Sequence, residues 1–262
     1  MPPQGMAWSP FNIGFSPRNE NEIISDMNFI KEQGIPRIRI YGTDGIIDPI
    51  LFNTCKKLGI KIDQGLWIGQ GGVNEVDWQV DKIIGWAKVN GWDIFTSIIV
   101  GSEPILRGDT TALALILKIT EVKAKLAVNG YHGLISTSEV LNTYKNNPSL
   151  CRDSPIDFVG LHAHLFFTGR APEEAGQFIL AEKENTERIC NKPVRILETG
   201  FPTAGRANGK SIPSEENQKL VLNLILSATN GDVTLMSLFD DVWKHPGPFE
   251  IEQHFGIFKP PH

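Results

Sequence analysis

Two glutamates in this chain sit where chemistry is possible. Glu103 follows the apolar run Thr96–Val100 within Gly101-Ser102-Glu103-Pro104, and Glu198 closes the run Val194–Glu198 just before Thr199-Gly200. One carboxyl group held protonated and a second held ionised can together protonate a glycosidic oxygen and attack the anomeric carbon. Either glutamate alone would serve equally well as a salt-bridge partner. The pair, each behind a dry run and flanked by glycine and proline turns, points to acid/base and nucleophile. They are 95 positions apart (198 − 103), so their meeting requires a fold that gathers strand ends on one rim.

Other functional groups cluster where apolar runs end: Tyr41-Gly42-Thr43-Asp44, Ser138-Glu139, His162-Ala163-His164 and Asp240-Asp241-Val242-Trp243-Lys244. Pyranose rings stack on flat side chains, and most aromatics are core. Of Tyr41, Trp67, Phe166, Phe167, Phe201 and Trp243, the reading keeps Tyr41 and Trp243 for sugar and leaves the others as packing. Lys244 and Glu252 are candidates for binding hydroxyls or tuning the carboxylates. His162 and His164, two apart on a strand, point the same way and could share a metal. The remaining histidines (His132, His245, His254, His262) do not sit at strand ends with suitable partners. One of the two is therefore read as a hydrogen-bonding group for substrate, and no metal or cofactor is expected. A metal-dependent barrel hydrolase is the rival mechanism.

The elements that must position these groups alternate short apolar runs with longer helical patterns, the sequence form of βα units around a parallel sheet. Eight runs are expected as strands: Phe11–Phe15, Arg37–Tyr41, Lys61–Ile68, Thr96–Val100, Gly133–Ser138, Asp157–Leu161, Val194–Glu198 and Val233–Phe239. Asp48-Pro49 reads as a helix N-cap and first-turn proline, Thr110–Asn129 as the longest helix, and Ser214 with Glu215 and Glu216 as a capped, acidic helix start. Asn142–Asp153 is too polar and short to assign. The count of eight, with Phe15-Ser16-Pro17-Arg18 where an open dinucleotide-binding sheet would carry a glycine-rich loop, predicts a (β/α)8 TIM barrel. At 262 residues the chain matches the roughly 250 such a barrel needs, and one domain over 1–262 is expected.

Composition narrows the partners. Hydrophobic residues at 41% and charged at 21% are ordinary for a globular chain, and no apolar run approaches the length of a membrane span. A net charge of -5 without a basic run argues against nucleic acid. Met1–Pro10 lacks a charged segment followed by an apolar one, which fits a cytoplasmic chain or a mature one whose secretion signal has been removed. Cys55, Cys151 and Cys190 have no metal spacing, and their odd number leaves at least one unpaired within the chain.

These residues resemble the family 17 glycoside hydrolases, whose acid/base follows strand 4 and whose nucleophile follows strand 7. Ile99-Val100-Gly101-Ser102-Glu103 is similar to that family's V-G-N-E signature, and Leu197-Glu198-Thr199-Gly200-Phe201-Pro202 to its T-E-T-G-W-P signature. Phe239–Lys244 and Glu252-Gln253-His254-Phe255-Gly256-Ile257 resemble its closing stretch. The resemblance implies Glu103 as acid/base and Glu198 as nucleophile. It implies Tyr41 beside the nucleophile, Glu139 as a further acidic cleft position, and Asp241, Lys244 and Glu252 as supporting cleft residues. Ser102 stands where the family usually has Asn, and Phe201 where it usually has Trp, keeping an apolar wall without an N–H donor. Some members pair a cysteine after the strand 2 tyrosine with one at the position of Cys55; Gly45 lies in that neighbourhood here, which implies a buried free thiol at Cys55.

The implied activity is retaining cleavage of β-1,3-glucan or laminari-oligosaccharides through a covalent glucosyl-enzyme. The short stretch from Phe166 to Pro172 resembles compact microbial members, including β-1,3-glucanosyltransferases of fungal cell walls. This implies a secreted or wall-associated monomer, with Trp243, His245 and Phe249 as an aromatic acceptor platform. The alternatives are a plain endo-β-1,3-glucanase and a non-catalytic glucan-binding barrel. Cys151 and Cys190 each precede one of two neighbouring strands, which could bring them within bridging reach; whether they are bridged is left open, and a bridge would suit a secreted wall enzyme.

Overall fold

The computed structural model describes residues 2–43 and 47–261. Asp44 and Gly45 therefore lie outside the described residues, as does His262. Eight parallel strands close into a barrel in chain order: β1 Gly5–Ala7, β2 Arg37–Ile40, β3 Lys61–Leu66, β4 Phe95–Ser102, β5 Leu134–Val140, β6 Val159–His162, β7 Val194–Thr199 and β8 Val233–Leu235. Around it run α1 Glu20–Glu32, α2 Ile47–Leu58, α3 Val76–Asn90, α4 Ala112–Val128, the short α5 Leu141–Asn146 and α6 Ser149–Arg152, α7 Ala175–Cys190 and α8 Glu215–Thr229. This is the expected (β/α)8 architecture.

The first strand is misplaced in the sequence reading. Phe11–Phe15 does not pair with the barrel; Asn12 N–H donates to the Ser16 carbonyl at 2.7 Å, and Ile13–Phe15 forms a 3-10 turn. The strand is instead the three residues Gly5–Ala7, which register Met6 against Ile38 and Gly5 against Thr234. Three residues are too short to show a period. The last strand also ends early, at Leu235, after which Leu238 N–H returns to the Ala7 carbonyl at 2.9 Å.

Helix starts follow local chemistry. Asn19 and Glu22 form a reciprocal capping box on α1, Thr111 caps α4, and the Ser214 side chain accepts from Asn217 N–H at 3.1 Å as expected. Asp48 and Pro49 fall inside the first turn of α2, and Thr110–Asn129 shortens to Ala112–Val128. The segment left unassigned forms α5 and α6.

Buried apolar residues lie mostly between barrel and helices, as with Ile23, Met27 and Ile30 of α1 at helical spacing. The barrel interior is partly polar. Among the described residues, Ile99, Phe158 and Leu197 make a separate apolar plug. Below it, buried Asp63 takes Arg37 at 2.7 Å, Arg195 at 3.1 Å and the Ser97 hydroxyl at 2.5 Å. Above it lies Arg39. Cys151 and Cys190 are bridged with a Cα separation of 5.3 Å, and Cys55 is a buried free thiol whose pKa burial pushes up to about 12.

Candidate active site

Two register shifts aim the glutamates. Along β4, Ile99 to Ser102 is three steps against two for Ser136 to Ser138 on β5; along β7, Ile196 to Glu198 is two steps against one for Leu161 to His162 on β6. Each strand carries one extra residue just before its glutamate, which breaks the in-out alternation and re-aims the side chains beyond it. In β4 the extra residue sits by Gly101, at φ 82° and so close to Pro104 that a Cβ would lie 2.8 Å from its ring. Glu103 itself adopts φ 54°, a left-handed backbone uncommon for a residue with a side chain. The turn is held from several sides. Glu103 N–H donates to the Ser138 carbonyl at 2.8 Å, Ile105 N–H to Glu139 at 2.7 Å, and Arg107 to the carbonyls of Ser102 and, at 2.7 Å, Ile68.

The carboxyl groups of Glu103 and Glu198 and the ring of His162 each place one atom within 4.8 Å of the others. Glu198 is the more embedded. Tyr41 hydroxyl donates to its Oε2 at 2.5 Å, His164 Nε2 lies 3.0 Å from its Oε1, and Arg39 is 3.6 Å away. Burial alone would push its pKa up; His162, the hydrogen bond from His164 and the Arg39 guanidinium outweigh it and hold Glu198 well below the usual carboxylate range. Burial lowers the His164 pKa, but the bond to Glu198 outweighs burial and raises it. Burial and the Glu198 charge push Tyr41 far up, which keeps it a donor.

Glu103 is pulled both ways. Burial and the Glu198 charge raise its pKa, the hydrogen bond from His162 lowers it, and the balance falls below the ordinary value. The direction of that bond can be deduced. Arg39 Nη1 stands 2.7 Å from His162 Nε2, and a guanidinium only donates, so Nε2 accepts and the ring proton sits on Nδ1, 2.7 Å from Glu103 Oε1. His164 thus bonds Glu198 and His162 bonds Glu103, with His162 Nδ1 also 3.8 Å from Glu198 Oε1.

These groups open into one cleft of about 730 Å³ lined by the strand ends and adjoining loops, including Tyr41, Trp67, Glu103, His162, Glu198 and Trp243. The sequence matches the BtgE/BtgC glycoside hydrolase domain over residues 5–256.

The chain belongs to the BtgE/BtgC glycoside hydrolase family.

Among relatives in this family, the probable beta-glucosidase btgE of Aspergillus flavus is 32% identical over 254 residues, 96% of this chain and 41% of that protein. Its namesake in Aspergillus clavatus is 33% identical over 258 residues, 97% of this chain and 45% of that one. The chain therefore spans less than half the length of these relatives. The fold is that of the glycoside hydrolase family 17 β-1,3-glucanosyltransferase from Rhizomucor miehei, with a TM-score of 0.82 at 24% identity, covering 97% of this chain and 92% of that one. The endo-laminarinase from Formosa Hel1_33_131 gives a TM-score of 0.78 at 15% identity, covering 97% and 82%.

Of the residues singled out in this family member, Tyr41, Ser102, Glu103, His162, Glu198, Asp241, Trp243, Lys244 and Glu252 all line the cleft. Lys244 pairs with Asp241 at 2.9 Å, which outweighs burial and raises its pKa. Two others do not face the cleft. Phe201 is fully buried and packs on Phe166 with ring centroids 6.0 Å apart, so it is core and offers no wall to a sugar. Glu139 is buried behind the Glu103 turn and outside the lining; burial raises its pKa to about 7. The aromatic grouping also changes: Phe249 packs on Phe166 at 5.5 Å, whereas Trp243 meets Phe11 and Phe15.

Sequence reasoning missed Arg39, the buried hub that donates to the Leu197 carbonyl at 2.7 Å and to the hydroxyls of Ser138 at 2.9 Å and Ser102 at 3.3 Å. Its signal was a charged residue alternating with isoleucine in Arg37-Ile38-Arg39-Ile40, the inward positions of a strand. It also set aside Trp67, which is 42% exposed at the cleft and carries the Arg107 guanidinium 4.4 Å over its ring.

Proposed function

We propose that this chain cleaves β-1,3-glucan with retention, Glu198 attacking the anomeric carbon and Glu103 protonating the departing oxygen, and that it passes the glucosyl unit to another sugar. The observation that supports this reading is that one carboxylate oxygen of Glu103 and one of Glu198 lie within 4.8 Å of each other. Retention goes with roughly 5–5.5 Å, whereas inversion needs about 6.5–9.5 Å to admit a water between them. Glu198, ionised and oriented by Tyr41 and His164, is suited to attack. After the glucosyl-enzyme forms, Glu103 takes the proton of an incoming hydroxyl. The β-1,3 linkage is taken from proteins of the same fold, among them the Rhizomucor miehei enzyme in complex with laminaritriose.

A metal-dependent reaction is less well supported. Glu103, His162 and Glu198 bring one ligand atom each within 4.8 Å, but His162 has its proton on Nδ1 and its lone pair on Arg39, which leaves only the two carboxylates for a cation, and Arg39 supplies positive charge there already. We take the reaction to need neither metal nor cofactor. The disulfide fits an oxidising compartment, in line with a secreted enzyme.

The test is a product profile from one purified laminari-oligosaccharide, together with azide rescue. Transfer yields longer as well as shorter products at tens of millimolar substrate. Shorter products alone leave an endoglucanase, and stepwise release of glucose alone favours the β-glucosidase activity named for the relatives. Glu103→Ala and Glu198→Ala should each lose several orders of magnitude, and on an activated β-glucoside in azide Glu103→Ala should yield the β-glucosyl azide, whereas any rescue of Glu198→Ala should yield the α-glucosyl azide. The opposite pairing of azide anomers would reverse the assigned roles.

A further inference from the structure

One side of the cleft is finished by a feature that the catalytic reading does not use. The loop after β1 carries Phe11 and Phe15 against Trp243 of the loop after β8, with ring centroids 5.8 Å (Phe11 to Phe15), 5.4 Å (Phe11 to Trp243) and 5.0 Å (Phe15 to Trp243). All three line the same cleft as Glu103 and Glu198, yet Phe15 remains 60% exposed. Phe15 also adopts φ 60°, next to Gly14 at 71°, a backbone that a bulky side chain normally avoids. The loop is braced in that shape: Phe11 bridges Pro17, Arg18 N–H donates to the Pro10 carbonyl at 2.8 Å, and the Ser16 hydroxyl to the Ile13 carbonyl at 3.1 Å. A strained backbone that presents an aromatic ring to solvent gains nothing for folding.

Polar groups stand beside the rings. Trp243 Nε1 donates to Asp241 Oδ1 at 3.2 Å, Lys244 holds the other oxygen of Asp241, and the Lys244 ammonium lies 5.6 Å from the Trp243 ring centre. Flat apolar faces next to a carboxylate and an ammonium match a pyranose, whose faces are apolar and whose rim is hydroxyl.

We infer that Phe11, Phe15 and Trp243 form a sugar-stacking subsite that holds a β-glucosyl unit of the bound chain away from the scissile bond. This rests on the functional reading above. It makes Phe15 a determinant of chain-length preference, because only oligosaccharides long enough to reach the rings gain from them.

The experiment compares laminaritriose with laminarihexaose, by kcat/KM in the otherwise unaltered enzyme and by calorimetric titration in the Glu198→Ala background. Phe15→Ala is expected to lower the hexaose-to-triose ratio of both quantities by about fivefold to tenfold, the scale of a lost aromatic contact. Phe15→Trp is expected to restore the ratio, and Ile13→Ser, on the same loop but outside the cleft lining, to keep it. A ratio unchanged in Phe15→Ala overturns the subsite while leaving the cleavage reading intact. Equal losses on both sugars with a lowered Tm, or self-association that Phe15→Ala abolishes with the ratio untouched, also overturn it. A wild-type protein that neither binds nor cleaves either sugar overturns the functional reading, and the subsite with it.

Discussion

His162 Nδ1 lies 2.7 Å from Glu103 Oε1, with its proton pointing at the carboxylate because Arg39 occupies the other ring nitrogen. This bond stabilises the ionised form of Glu103, whereas the acid role proposed for Glu103 needs the protonated one. The basic limb of kcat/KM reports a required acid in the free enzyme, so a lowered pKa moves that limb to lower pH. Activity is expected to peak on the acid side of neutrality. His162→Phe should shift the basic limb upward by about one pH unit, and His162→Gln, which keeps a donor, should shift it less. A limb that stays put in His162→Phe contradicts the assignment of Glu103 to it.

Tyr41 donates to Glu198 at 2.5 Å. Tyr41→Phe removes the donor but little volume, so the fold should persist while Glu198, the proposed nucleophile, loses orientation and its pKa rises. A kcat reduced by about tenfold to a hundredfold is expected, the scale of one lost charge-assisted bond. The acid limb should move to higher pH. Steady-state kinetics across pH check both; wild-type kcat in this variant would remove Tyr41 from the reaction.

Glu139 links the site to stability. Its pKa is raised from 4.5 to about 7, so the folded state binds more protons than the unfolded state in that window. Stability is complete below the unfolded value and falls as pH rises through the folded one, by about 3 kcal/mol at most. Glu139→Gln keeps an acceptor for Ile105 N–H and cannot ionise. Its Tm should fall less than that of the wild type between pH 5 and 8; parallel curves for the two proteins would contradict this.

The Cys151–Cys190 bridge closes 39 residues of sequence. Loop-closure entropy puts its contribution at about 4 kcal/mol. Reduction, or Cys151→Ser with Cys190→Ser, should lower the denaturation midpoint in urea accordingly, with Cys55 unmodified by thiol reagents until unfolding. No change on reduction would show that the bridge does not constrain the chain.

Much of this was legible in the sequence because the signals were local. Glu103 and Glu198 each stand where an apolar run meets glycine or proline, and Ser214 caps its helix as its neighbours imply. The features that stayed hidden depended on partners across the barrel. Arg39 reads as a surface charge until β6 and β7 bring His162 and Glu198 to it. Phe201, one position past a glycine, looks like a cleft wall until the fold puts Phe166 against it. β1 was missed because its three residues carry no periodicity, while Phe11–Phe15, with better strand formers, is bent by Gly14 into the turn that presents Phe15.

The central claim is retention through Glu198, and the anomer of the first-formed product tests it most directly. Proton NMR of laminari-oligosaccharide cleavage, recorded before mutarotation, should show the new reducing end as the β-anomer. A fluorinated glucosyl donor should leave its label on the peptide that contains Glu198. An α-anomer as first product would contradict the account, because a single displacement by water inverts the anomeric centre and leaves no glucosyl-enzyme at Glu198.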